Sequence, residues 1–244
     1  MAAIELDSLR KEYRDVVAVD DLSFTVEEGE LFSLLGVNGA GKTTTIKMLS
    51  TLIPPTGGDA VILGKSLRRE ASEIKGLIDV STQETAVARK LTVEENLRFY
   101  AALNGLSKGE IDERVEEAYR VFGLDSVAKK QAAKLSGGWQ RKLSIALALV
   151  NRPKILFLDE PTLGLDVIAR RELWRAISSL KGSMTIILTT HYMEEAEALS
   201  DRIGIINRGK LMFVGTKEEL YVRTGKTSVE DAFVEVVSGG ESNA

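Results

Sequence analysis

The chain has 244 residues, 44% of them hydrophobic and 28% charged, with a net charge of −4 and no cysteine. That apolar content suits one large domain, or one domain with a subdomain, and excludes a disordered chain. The acidic balance argues against a general nucleic-acid binder, and the lack of cysteine excludes disulfides and thiolate metal sites.

The start, "MAAIELDSLRKEY", has early acidic residues and no apolar stretch, so it does not read as a secretory signal. Three strand-like runs follow in order, "IELDSL", "VVAVDDLSFTV" and "GELFSLLG", with β-branched and aromatic residues alternating with polar ones. A helix is expected from Lys42 to about Leu52, ended by "PPTGG". The stretch from about 90 to 135 reads as helical. In it Ile111, Val115, Tyr119 and Phe122 share one helical face. Leu97, Tyr100 and Ala101 form another apolar set, which fits either internal packing or a groove for a partner's helix.

From Leu135 the chain alternates again. A helix is followed by the strand "KILFLDE", the helix "RRELWRAISSLK", the strand "MTIILTT", a further helix and the strands "RIGIINRG" and "KLMFVG". Short apolar strands alternating with helices imply a parallel sheet covered on both faces. The longest purely apolar run, "IALALV", is far below the ~20 residues that cross a bilayer, so any membrane span is expected in another chain. A last helix carries Val229, Ala232, Phe233 and Val236 on one face.

"GVNGAGKTT", residues 36–44, has the G-x-x-x-x-G-K-[ST] spacing between a strand and a helix. Gly36, Val37, Asn38, Gly39, Ala40 and Gly41 form a loop whose backbone N–H groups can wrap phosphates, and the helix N-terminus adds positive potential. Lys42 would reach the β- and γ-phosphates of ATP, and the Thr43 hydroxyl, followed by Thr44, would ligate Mg²⁺. An apolar strand ending in two carboxylates is unusual, because buried strands avoid unpaired charge. Beside such a loop, Asp159 would hold the Mg²⁺ shell and Glu160 would be the general base acting on water.

"LSGGWQRKLSIALAL" places Ser136, Gly137 and Gly138 at a helix start, where free N–H groups and a hydroxyl suit an anion. With this motif, residues 36–44 and "KILFLDE" in order, nearly the whole chain resembles an ATP-binding cassette (ABC) ATPase. Trp139 stands where the family commonly has Gln, and Val37 where it often has Pro.

The resemblance implies an α/β P-loop NTPase with a RecA-like parallel sheet, an antiparallel β subdomain and a helical subdomain. The cassette would span residues 1–220, with the helical insertion at about 88–150 and a helical tail at 221–244. Tyr13 resembles the aromatic that stacks on adenine. Gln83 resembles the glutamine that touches Mg²⁺ and water. Asp166 resembles the aspartate that communicates across the dimer. His191, the single histidine, resembles the residue that contacts the γ-phosphate and positions Glu160 and the water.

ATP is expected between Lys42 of one copy and Ser136 of another, in a homodimer or a heterodimer with a sister ATPase. The segment "HYMEEAEALSDRIGIINRGK" and the terminal "SVEDAF" resemble the exporter branch that includes multidrug and antibiotic-resistance ATPases. A separate membrane-spanning subunit, a place on the cytoplasmic face of the cell membrane and no nucleic-acid partner are then expected. The rival reading is a soluble mechanical ATPase of DNA repair or the ribosome. Neither the long coiled-coil insertion of the first nor the second cassette of the other is present in these residues. A nucleotide-binding scaffold without turnover is a third reading, against which Glu160 and His191 stand.

Overall fold

The computed structural model describes residues 1–239. Its strands are β1 (Ala2–Tyr13), β2 (Val16–Glu27), β3 (Leu31–Leu35), β4 (Gly57–Ile62), β5 (Lys65–Ser66), β6 (Ile78–Ser81), β7 (Ile155–Asp159), β8 (Thr185–Thr190), β9 (Arg202–Asn207) and β10 (Lys210–Gly215). The helices are α1 (Lys42–Leu49), α2 (Ala71–Ile74), α3 (Val93–Leu103), α4 (Lys108–Phe122), α5 (Gly137–Leu149), α6 (Val167–Ser178), α7 (Met193–Leu199), α8 (Lys217–Thr224) and α9 (Val229–Gly239).

β3, β7 and β8 are buried at every position. Strands of this kind need cover on both faces, which parallel α/β packing supplies. They form the centre of a six-stranded sheet in the order β10-β9-β3-β8-β7-β6. All neighbours pair in parallel except β9 and β10, which are antiparallel. β1 and β2 instead alternate between buried and exposed positions, as one-sided strands do. They lie in a separate antiparallel sheet, β2-β1-β4-β5. Phe24 of β2 stacks on Phe32 of β3 with ring centroids 5.0 Å apart, joining the two sheets across the core they share with α1.

The register sets the rest. Leu35 pairs with Thr190, Asp159 with Thr189, and Ser81 with Leu158. The carboxyl ends of β3, β8, β7 and β6 therefore lie side by side, where open α/β sheets gather ligand-binding loops.

The helical middle is broken where the sequence reading ran it together. α3 and α4 each begin with a reciprocal capping box, Thr92 with Glu95 and Ser107 with Glu110. Gly123, in the left-handed region at φ 67, ends α4. Val115 and Phe122 are buried and Ile111 and Tyr119 half-buried against the same core, the face the 3.6-residue period implied. Leu97 and Ala101 are fully buried there too, with Tyr100 packed against them. That set is an internal packing face, which removes it as a partner groove; Phe99 and Leu103 are the exposed apolar residues of α3. α1 stops at Leu49, because Thr51 turns left-handed at φ 61 before the expected end. On α9, Val229, Ala232, Phe233 and Val236 pack with Ile203, Ile205, Phe213 and Leu220. Residues 240–244 of the expected tail lie outside the described residues. Among the described residues no helix is long and apolar enough to cross a membrane.

Candidate functional site

β3 runs into the loop of residues 36–44, and α1 opens at Lys42. The loop demands its glycines. Gly41 caps α1 at φ 106, and a Cβ on it would sit 2.4 Å from the carbonyl oxygen of Ala18. A Cβ on Gly36 would meet the Ile206 carbonyl oxygen at 2.4 Å. Both distances are prohibitive, so the chain can wrap this tightly only with hydrogen there.

The loop walls a cavity of about 520 Å³ lined by Asn38, Gly39, Gly41, Lys42, Thr43 and Thr44 on one side, and by Gln83, Glu160 and His191 on the other. Ala18 and Leu163 complete it, and the sequence reading picked neither. Gly36 and Ala40 are buried behind the loop, and Val37 is exposed outside the lining.

Lys42 donates through Nζ to the carbonyl oxygens of Gly36 at 2.8 Å and Val37 at 3.1 Å. Its Nζ also lies 3.3 Å from Glu160 Oε1. The second oxygen of that carboxylate, Oε2, is 2.8 Å from His191 Nδ1. A carboxylate oxygen accepts, so Nδ1–H is the donor in this contact and Nε2 takes no part in it. Glu160 sits at φ 47, a left-handed conformation that costs a non-glycine residue about 1–3 kcal/mol. Thr189 holds it there, since the Glu160 N–H lies 3.1 Å from both the carbonyl and the hydroxyl oxygen of Thr189. Strain retained at a carboxylate in a cavity is the pattern of a functional position.

Next to it, Asp159 Oδ1 accepts from Thr43 Oγ1 at 3.2 Å and from Thr189 Oγ1 at 2.5 Å. Hydroxyl and carboxylate oxygens are hard donors that fit Mg²⁺. Among the described residues no cluster of three or more His, Cys, Asp or Glu gathers to hold a metal. Thr189 thus holds the Asp159 carboxylate and the Glu160 backbone. The polar "TT" before His191 was its only trace in the sequence.

Three expected groups lie elsewhere. Tyr13, at the end of β1, is 45% exposed and lies outside the cavity lining, with Lys11 Nζ 5.2 Å from its ring centroid. Ser136 N-caps α5 and is exposed with Gly137. Gly138 is tighter, because its Cβ would stand 3.0 Å from the Ala169 side chain. Asp166 N-caps α6, accepting from the N–H groups of Ile168 and Ala169 at 2.9 Å. Ser136, Gly137, Gly138 and Asp166 are all absent from the cavity wall. Trp139 lies under Lys142, whose Nζ is 4.5 Å from the ring centroid and 2.8 Å from Glu172.

Arg141 and Glu195 are among the buried charges that were not anticipated. Arg141 of α5 points its guanidinium at the loop after β6. Glu195 of α7 accepts from Trp174 Nε1 at 2.9 Å, and burial, the dominant cause, holds its carboxyl above the usual range.

The family model described as "ABC transporter" matches residues 19–163. The chain is 39% identical over 240 residues to "Probable multidrug ABC transporter ATP-binding protein YbhF" of Escherichia coli (strain K12), covering 96% of this chain but 41% of that one. It is 39% identical to "Linearmycin resistance ATP-binding protein LnrL" of Bacillus subtilis (strain 168), covering 93% and 73% of the two chains. Among solved structures, the dimeric post-hydrolysis ATP-binding cassette MJ0796 bound to ADP and Pi superposes with a TM-score of 0.78 at 25% identity, covering 87% of this chain and 98% of that one. The chain belongs to the ABC transporter family, as an ATP-binding ATPase domain within it.

Proposed function

We propose that this cassette binds ATP with Mg²⁺ at the cavity, hydrolyses it between two ATPase copies, and uses the closure and reopening of that pair to drive export through a separate membrane-spanning subunit. The observation that carries the reading is the Glu160 carboxylate, held between Lys42 and His191 beside the 36–44 loop.

Lys42 and the loop N–H groups bind the triphosphate. Thr43, Asp159 and Gln83 would hold Mg²⁺, which when bound offsets charge on the β- and γ-phosphates. Lys42 is tied to Glu160 Oε1 at 3.3 Å; an arriving phosphate is a competing anion that draws Lys42 away and leaves that oxygen for water. Glu160 then takes the proton of the attacking water. His191 keeps the carboxylate oriented through Nδ1–H beside the place of the γ-phosphate.

Ser136, Gly137 and Asp166 are exposed, Gly138 is half-buried beside them, and all four stand off the cavity wall, which supports their service to a site on a second copy. The dimeric state of MJ0796 is consistent with that arrangement. Tyr13, exposed at the end of β1, would serve adenine. Residues 1–220 form the cassette, residues 88–150 its helical part and 221–244 its tail. The names of YbhF, a multidrug transporter protein, and LnrL, a resistance protein, support export; the chain would then work on the cytoplasmic face of the cell membrane.

The test is Glu160→Gln. Phosphate release should fall by about 10²-fold or more while ATP binding persists, and the variant should elute as a dimer with ATP in size-exclusion chromatography. A monomeric variant that hydrolyses at the native rate refutes the assignment.

A further inference from the structure

α5 does more than present Ser136. One and a half turns into the helix, Arg141 is 4% exposed, a rare burial for a guanidinium. Its Nη1 donates to the carbonyl oxygen of Thr82 at 2.7 Å, and its Nη2 donates to that of Gln83 at 2.5 Å. The fork thus grips two consecutive peptides of the loop that carries Gln83 to the cavity. Burial lowers the guanidinium's affinity for its proton, against the opposing charges of Asp159 and Glu195. No direct ion pair with either carboxylate accompanies the two carbonyl bonds. A charge buried chiefly for two loop carbonyls is costly unless that loop must be held.

One helical turn further on, Ser144 Oγ meets Ser81 Oγ at 3.3 Å, at the last residue of β6. Residues 141 and 144 share a face of α5, so the same side of the helix is fastened to β6 and to the loop that follows. Gln83 itself is exposed and lines the cavity. Ser136 and Arg141 are five residues apart, about 7.5 Å along a rigid helix. A load on the exposed end of α5 is therefore delivered to the Gln83 backbone.

We propose that Arg141 is a positioning residue that couples α5 to Gln83, so that the Gln83 side chain reaches the reacting centre only when α5 is seated by a second copy. The inference rests on the proposed nucleotide site and adds to it a mechanical link between two of its parts. Lysine cannot replace the fork, because one ammonium cannot match two fixed carbonyls with the same planar geometry. It does keep the positive charge beside Asp159 and Glu195, so it tests the fork separately from the charge.

The experiment is a double-mutant cycle on the full chain with Arg141→Lys, Gln83→Ala and the pair. Arg141→Lys should lower kcat about tenfold or more, as misplaced catalytic groups do, while binding of a fluorescent ATP analogue without Mg²⁺ changes less than about twofold. In the Gln83→Ala background the same substitution should change kcat less than about twofold, because the side chain it positions is gone. A merely structural arginine would slow both backgrounds equally, and that result overturns the proposal, as does a native kcat in Arg141→Lys. Should the lysine variant fail to fold by circular dichroism, Arg141→Gln, shorter and uncharged, enters the same cycle with the same criteria. Failure of the site itself is read separately: a native rate in Glu160→Gln removes the nucleotide reading, whereas additivity of Arg141 and Gln83 removes only this link.

Discussion

His191 Nδ1 lies 2.8 Å from Glu160 Oε2, joining the loop after β8 to the end of β7 across adjacent strands. The register that pairs Asp159 with Thr189 sets this distance, so the contact belongs to the sheet. His191→Ala should lower kcat by about 10²-fold, within the usual range for a group acting on the general base, with a much smaller effect on ATP binding. Phosphate release and equilibrium titration with a fluorescent analogue separate the two. A native kcat would show that Glu160 needs no orienting partner.

Thr189 should matter almost as much, although it touches no substrate. Its hydroxyl is 2.5 Å from Asp159 and 3.1 Å from the strained Glu160 N–H. Thr189→Val keeps the volume and removes one of the two bonds that each group makes, leaving the Glu160 N–H on the residue-189 carbonyl and Asp159 Oδ1 on Thr43, at about 0.5–1.5 kcal/mol per bond lost. We expect a lower urea midpoint and a raised Mg²⁺ requirement for turnover. Unchanged Mg²⁺ dependence would separate Thr189 from the metal-holding carboxylate.

The exposed Ser136 end of α5 leads to a mixing experiment. Ser136→Arg should bind ATP as an isolated chain yet fail to turn it over. Lys42→Ala should fail too, through lost phosphate binding. Mixed together, the two variants form pairs in which one site has both its Lys42 and its Ser136, so phosphate release should return in the mixture. Two inactive variants that stay inactive when mixed would argue that each chain works alone.

Asp79, on the edge strand β6, gives a pH test. Burial raises its carboxyl from 3.8 to about 6, against bonds from the Val80 N–H and Asn151. Between those values the folded protein binds more protons than the unfolded chain, so stability falls as pH rises through that window. Asp79→Asn keeps an acceptor for Val80 without the charge. It should be more stable than the native chain at pH 7 by roughly 2–3 kcal/mol, and nearly equal at pH 4. Urea midpoints at the two pH values check this. An equal gain at both would exclude the buried charge as the cause.

Much of the site was legible because its signals are local. The 36–44 loop needs glycine where a Cβ would strike Ala18 or Ile206, and that demand is written in consecutive residues. The carboxylates at the end of β7 and the histidine after β8 stand out as polar groups closing apolar runs. The packing faces of α4 and α9 follow from the 3.6-residue period. The tertiary structure decided what depends on distant partners. Strand order brought Gly36, His191, Glu160 and Gln83 to one edge, although up to 155 residues separate them in the chain. It also left Tyr13 outside the cavity lining and turned Leu97 and Ala101 inward. Nothing in the sequence marks Arg141 and Glu195 as buried charges. Whether a charge is buried depends on the carbonyls, hydroxyls and opposite charges that other segments bring to it, and those arrive only when the chain folds.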